Sequence, residues 1–282
     1  MLGAIIGDIV GSYYESFNYK GTDFLFLHDY CEFTDDTVMT LAVARWLMED
    51  PEGSPQGLVR CMKELGCAHL TAGFGGTFYF WLQQPLPKMI PYGSWGNGAG
   101  MRVSPVGMCA SSMEECLDLA RTSAAVSHDH PEGIKGAQAI ASAVYIARTS
   151  ENVFSAGTKR KVKSFVESRF GYDLGFTLDE IRPRYRFDVS CQGSCPQAIR
   201  AYLEGRDFEE VVRLAVSVGG DSDTIACMAG GIAGAQFDIP EVISRHARKY
   251  LSEDLRAEMD RFEKWLEEGA GGRLAPREGQ EG

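Results

Sequence analysis

Thr34-Asp35-Asp36-Thr37-Val38-Met39-Thr40-Leu41-Ala42-Val43-Ala44-Arg45-Trp46-Leu47-Met48 is the stretch that decides the fold. A threonine and two acids give way to a run, from 38 to 48, that is apolar on almost every side. A surface helix would show a stripe of apolar residues with a polar face opposite, so this run predicts a helix buried in a large core. Thr34 is placed to cap that helix, and Asp35 and Asp36 fall in its first turn, where carboxylates complement the helix dipole. Capping alone accounts for one such motif.

Working outward, helical patterns dominate. Residues 132 to 148 are rich in alanine and strong helix formers, and 158 to 170 are basic and amphipathic. Residues 196 to 203 and 208 to 218 read as two more helices, separated by the turn signal Glu204-Gly205. Residues 225 to 237 form an apolar, small-residue helix pattern, and its glycines between 230 and 234 would let another backbone come close. Residues 241 to 268 alternate charged and apolar positions at helical spacing, as a surface-packed pair of helices would. Only 186 to 190 reads as extended. No repeat and no linker interrupts the pattern. The expectation is one all-α domain, a compact orthogonal helical bundle over residues 1–268, followed by a Gly-rich, polar, disordered tail over 269–282.

Composition sets outer limits. The chain has 282 residues, 44% hydrophobic and 24% charged, enough to bury a large core without disulfides. Its net charge of -11 argues against a broad phosphate-neutralising surface for DNA or RNA, though not against a small anionic ligand. The eight cysteines are irregularly spaced in apolar surroundings, unlike a secreted disulfide framework. The apolar run 2 to 10 lacks a basic leader and a cleavage site, and no apolar run reaches the ~18 residues of a spanning helix. A cytoplasmic protein is expected.

A second motif repeats the form of the first. Gly219-Gly220-Asp221-Ser222-Asp223-Thr224 again sets two acids and a threonine before an apolar helix, with two glycines that permit a tight turn. If the two helices meet in the core, their N-termini bring four carboxylates together. Like charges in a poorly solvated site repel and raise one another's pKa values, a cost that bound divalent cations remove. Oxygen ligands of this kind suit Mg²⁺ or Mn²⁺ better than Zn²⁺. The pairing of the motifs therefore points to a metal site.

At this point the chain resembles the ADP-ribosylglycohydrolases, the dinitrogenase reductase-activating glycohydrolase-like enzymes. Five segments in order carry the resemblance: Gly3-Ala4-Ile5-Ile6-Gly7-Asp8 running on to Glu15, Phe33 to Thr37, Gly96 to Arg102, Ser127-His128-Asp129-His130-Pro131-Glu132-Gly133, and Gly219 to Thr224. The resemblance implies an all-α fold with a binuclear magnesium or manganese centre. It implies Thr34, Asp35, Asp36, Asp221, Asp223 and Thr224 as metal ligands, and Glu15 as a carboxylate beside the metals. Gly75 and Gly76 resemble a phosphate-facing loop. Ser94, Trp95, Gly96 and Asn97, with Gly98 in the adjoining glycine turn, resemble the segment that lines the ADP part of the ligand, and His128 a histidine that faces it.

The residues themselves are compatible with that assignment. Glycine N–H groups can cradle a diphosphate without any basic side chain. Trp95 offers a face for adenine, or is a partly buried core indole. Arg102 is a partner for a phosphate or carboxylate of the ligand, or for an internal carboxylate. His128 suits a hydrogen-bonding role better than metal ligation, since no soft ligand lies nearby. Cys191 and Cys195 read as buried structural thiols, with Gly193 and Pro196 marking a turn. Residues 148 to 200 carry no motif.

The expected activity is metal-dependent hydrolysis of the glycosidic bond between ADP-ribose and a modified side chain, N- or O-linked, with ADP-ribosylated protein or an ADP-ribose-containing small molecule as substrate. Glu15 or Asp35 would activate water at the anomeric carbon. Two other readings remain: a metal-dependent phosphohydrolase that cuts a nucleotide diphosphate, and a non-catalytic, crystallin-like structural member of the same fold.

Overall fold

Gly3, Gly7 and Gly11 recur every fourth residue on one face of the first helix, α1 (Leu2–Glu15), and that face meets another backbone directly. A Cβ on Gly7 would fall 1.9 Å from the Ala226 carbonyl oxygen, and one on Gly3 would fall 2.3 Å from that of Gly230. The partner is the small-residue helix foreseen near residue 230. Only glycine lets two helices approach this closely, and the approach puts the ends of both helices in register.

The computed structural model describes residues 1–150 and 156–270. After α1 come α2 (Asp35–Glu49), α3 (Pro55–Ala68) and α4 (Gly76–Gln83). The short α5 (Gly98–Met101) and α6 (Ser104–Cys109) precede α7 (Met113–Ala125) and α8 (Pro131–Thr149). Then follow α9 (Ala156–Phe170), α10 (Leu178–Ile181), α11 (Cys191–Glu204), α12 (Phe208–Ser217), α13 (Ser222–Gln236), α14 (Glu241–Ala247) and α15 (Glu253–Glu267). The fold is all-α and a single domain. Of the expected tail, residues 271–282 lie outside the described residues; Ala270 is buried.

The core is built on α1, α2 and α13. Every residue of α13 from Ser222 to Ala233 is buried, and α2 is buried from Asp36 to Ala44 and again at Trp46 and Leu47. This is the all-round burial that the run 38 to 48 predicts. α8 and α11 pack against α13, α12 lies against α11, α13 and α1, and α15 covers α2.

The stretch 186 to 190 is extended, but its only partner among the described residues is an isolated antiparallel bridge between Ser190 and Gly96. Asn97 N–H donates to Val189 O at 2.7 Å and Cys191 N–H to Trp95 O at 2.9 Å. The helix expected from 196 begins at Cys191 instead: Ser190 caps it, accepting from Gly193 N–H at 3.1 Å, and Pro196 lies inside it rather than in a turn. The cysteines are all free and, apart from Cys67, buried. Among the described residues no helix is long and apolar enough to cross a membrane.

Candidate metal centre and ligand cleft

The close packing of α1 on α13 delivers carboxylates to one point. Continuing the four-residue spacing of Gly3, Gly7 and Gly11 leads to Glu15. Gly11 lies against the start of α13, where an added Cβ would fall 2.4 Å from the Asp223 Cα. One turn further, carboxylate oxygens of Glu15, Asp221 and Asp223 lie within 4.8 Å of one another. Gly219 and Gly220, at φ +69° and +68°, make the left-handed turn that aims Asp221 and Asp223 inward.

The other side of the cluster comes from α2. Thr34 caps this helix, its hydroxyl accepting from Asp36 N–H at 3.3 Å. Asp36 is buried, and one of its oxygens lies within 4.8 Å of oxygens from Asp8 and Asp223. Asp8, on α1, is fully buried and is a member of the cluster that sequence reasoning left without a role. It accepts from Thr34 N–H at 3.0 Å, Thr34 Oγ1 at 2.7 Å and Thr37 N–H at 3.1 Å, and from the Thr37 hydroxyl. Asp8 thus accepts the Thr34 hydroxyl hydrogen bond, and with Asp36 N–H on one lone pair the oxygen keeps the other for a cation. The signal in the sequence was one acid in the otherwise apolar run 2 to 10.

Electrostatics agree with a site that is incomplete without cations. Burial, and then Thr-supplied hydrogen bonds pulling the other way, leave Asp8 pushed up to about 6. Burial with the charges of Asp221 and Asp8 pushes Glu15 up to about 7. Burial with the charges of Asp8, Asp221 and Glu15 pushes Asp35 up to about 8. Asp36 and Asp223 are driven well above the usual carboxylate range, burial first and neighbouring carboxylates second. Asp36 Oδ1 is buried with no hydrogen-bond partner. An unsatisfied buried carboxylate oxygen is rare in a folded protein, and Asp36 gathers with Asp8 and Asp223 in an all-oxygen donor set. The residues fit hard divalent cations. Asp35 lies in neither tight carboxylate group; it stands at the cleft wall, beside the Gly73 backbone.

The cluster forms the floor of a cleft of about 890 Å³, within the range of small-molecule sites. The expected binding residues Gly75, Gly76, Ser94, Trp95, Gly96, Asn97, Gly98 and His128 all line it. Gly75 and Gly76 open α4 with nothing within 4 Å of an added Cβ, so their backbone is bare to the cleft. Trp95 is 53% exposed, which excludes the core-indole reading, and its ring meets His130 edge-on. Asn97 is buried and faces the floor: its Nδ2 donates to Asp221 Oδ2 at 2.6 Å and to Ser194 Oγ at 3.0 Å. Cleft wall and acidic floor are thereby coupled through one amide.

His128 is buried with Nδ1 2.8 Å from Ser127 Oγ, and Arg102 donates to that same oxygen at 2.9 Å. We assign the Nε2–H tautomer on this network: Ser127 receives from Arg102 and passes its own proton to Nδ1. Burial, and then the Arg102 charge, hold His128 well below its usual range, so it stays neutral. Arg102 itself departs from the internal-carboxylate reading. It is 1% exposed, bonded to Ser123 O and Ser127 Oγ, and lies over the Phe78 ring, with no carboxylate partner among its hydrogen bonds. Through Ser127 its guanidinium is linked to His128, and it also lines the cleft.

Comparison with known proteins gives one answer. The profile of the ADP-ribosylglycohydrolase family matches residues 1–278. The human protein named ADP-ribosylhydrolase ARH3 is 25% identical over 336 aligned positions, covering 92% of this chain and 90% of the human protein. An uncharacterized protein of Archaeoglobus fulgidus is 26% identical, covering 86% of this chain and 88% of its own. A solved structure described as an ADP-ribosylglycohydrolase-related protein complex superposes with a TM-score of 0.71 at 24% identity, over 95% of this chain and 97% of that one, a likeness of fold.

Proposed function

Because the chain belongs to the ADP-ribosylglycohydrolase family, a family of hydrolases, we propose that it cleaves the glycosidic bond between ADP-ribose and a modified protein side chain, N- or O-linked, with two divalent metal ions, Mg²⁺ or Mn²⁺. The observation that carries this reading is the unpartnered, buried Asp36 Oδ1 within the acidic floor of the cleft. Thr34, Asp36, Asp223 and Thr224 would hold one cation with Asp8 behind them, and Glu15, Asp221 and Asp223 a second. Asp35 would complete the set from the cleft wall. Bound there, such cations would orient the hydroxyls of a ribose and stabilise charge that develops on its oxygens.

The chain's own residues supply the rest. The bare N–H groups at Gly75 and Gly76 suit a diphosphate. Trp95, with Phe187 and Val189 exposed on the same cleft, offers apolar surface for adenine. The Nε2–H of His128 is a neutral donor toward the loop at Gly96 and Gly98. Glu15 and Asp35 both line the cleft. Either carboxylate would take the proton from an attacking water at the anomeric carbon while the other returned a proton to the departing side-chain atom.

Cleavage of the diphosphate is disfavoured by the position of Arg102. Among the described residues that line the cleft, Arg102 is the only Lys or Arg, and one of its terminal nitrogens is bonded to Ser123 and Ser127. Phosphoryl transfer ordinarily draws on a cation at the transferring group. The test is product analysis by mass spectrometry after incubation with ADP-ribosylated peptides of each linkage. Intact ADP-ribose and an unmodified peptide are expected, abolished by chelator. Release of AMP with a phosphoribosyl remnant on the peptide would overturn the glycohydrolase reading.

A further inference from the structure

Beside the acidic floor, the cleft opens onto an exposed ladder of aromatic rings. Tyr13, on α1, stacks flat on His28 with ring centres 4.2 Å apart and planes 4° from parallel. His28 also stacks on Tyr30 at 5.1 Å, Tyr30 lies 6.1 Å from Tyr13, and Phe17 meets Tyr13 at 5.2 Å. Tyr30 is 75% exposed and Phe17 63%, an unusual outlay of aromatic surface for a free face. The loop is held in place: Glu32 N–H donates to Ser12 Oγ at 3.0 Å, and Tyr250 OH donates to His28 O at 3.0 Å.

None of the ring residues lines the cleft, but their neighbours in the chain do. Ser12, Glu15, Ser16 and Glu32 line the cleft, and they alternate in sequence with Tyr13, Phe17 and Tyr30. The charge on this rim is negative. Asp29 and Glu32 are exposed on it and enter no ion pair among the described residues. Two nearby cations, Lys20 and Arg213, are held by backbone carbonyls and aromatic rings. Lys20 donates to the carbonyls of Tyr185 and Val218, and Arg213 lies over Phe24 and Phe26 while donating to Phe24 O.

We propose that this rim is the docking surface for the polypeptide that carries the modified residue, and that it selects segments with lysine or arginine beside that residue. Ring faces and free carboxylates side by side attract cationic side chains by cation–π and ion-pair contacts, and repel acidic peptides and nucleic acid. The proposal rests on the glycohydrolase reading for its substrate, but the rim can be tested without turnover.

Two peptides carrying ADP-ribose on the same residue, one flanked by lysines and one by glutamates, should differ in KM by about tenfold in favour of the lysine-flanked one. The double variant Tyr30→Ala, Asp29→Asn should erase most of that difference at unchanged kcat, with affinity for free ADP-ribose unaltered. In parallel, fluorescence anisotropy should show the unmodified lysine-flanked peptide binding the wild-type protein and not the double variant. Equal KM for both peptides, a preference for the glutamate-flanked peptide or a nucleic-acid end, or undiminished anisotropy in the variant would overturn the proposal. Failure of free ADP-ribose to bind, with lysine-peptide binding intact, would instead strike the glycohydrolase reading and leave the docking surface standing.

Discussion

The Thr224 hydroxyl donates a 3.1 Å hydrogen bond to Asp36 Oδ2, joining the start of α13 to the start of α2 across 188 residues of chain. Both motifs read from the sequence as capped helix starts, and this bond shows their N-termini sharing one site. It also leaves the other Asp36 oxygen, Oδ1, without a partner. Thr224→Val removes the donor and the proposed ligand oxygen while keeping the shape. Mg²⁺ affinity, read by calorimetry, should fall by about 10- to 100-fold, as for other residues that orient metal ligands. Thr224→Ser should retain it. Equal loss in both variants would assign Thr224 to packing alone.

Asp8→Asn should also weaken Mg²⁺ binding. The carboxylate accepts from Thr34 and Thr37, and an amide would turn N–H groups against those same donors. Rotation of the Thr34 hydroxyl would then draw its lone pairs away from the cation. An affinity equal to wild type would reduce Asp8 to a buried structural acid.

Gly7→Ala tests the packing that sets the cluster. The new Cβ would fall 1.9 Å from a backbone oxygen of α13, which cannot move aside alone. Overpacking of this kind costs about 1–3 kcal/mol or more, hence a melting temperature lower by roughly 2–5 °C or more. Gly76→Ala meets nothing within 4 Å and should leave the melting temperature unchanged. A Gly7→Ala protein as stable as wild type would contradict the close approach of α1 and α13.

These variants also mark what the sequence made legible. The buried helix after Thr34, the Asp221 to Thr224 turn and the glycines near 230 could be read from local pattern, because burial, capping and tight turns each leave a local signature. Asp8 could not be assigned so, because its donors Thr34 and Thr37 come from another helix. The internal partners of Arg102 were hidden for the same reason: Ser123 and Ser127 lie 21 and 25 residues away. The true start of α11 was hidden by Gly193 and Pro196, turn-formers that Ser190 recruits into a capped helix.

Stability should depend on pH in a direction that reveals the cluster. Asp8, Glu15 and Asp35 are pushed up to about 6, 7 and 8 from usual values near 4. The folded, metal-free protein therefore holds these protons more tightly than the unfolded chain. Their stabilising contribution is complete below about pH 4 and is lost as pH rises through 6 to 8. Neutral His128 acts oppositely, so the informative quantity is a difference. Urea unfolding in chelator should show stability falling between pH 5 and 8 relative to the same protein in Mg²⁺, and the gap should narrow in Asp35→Asn. A gap that does not change with pH would contradict the raised carboxylates.

The central claim is that the acidic floor holds a pair of divalent cations. Isothermal titration of chelator-stripped protein with Mg²⁺ or Mn²⁺ tests it most directly. The account predicts two ions bound per chain, with binding lost or reduced to a single weak site in Asp36→Ala and in Asp223→Ala, and with both variants still folded by circular dichroism. Absence of binding to the wild-type protein, or titrations of the two variants indistinguishable from it, would contradict the account.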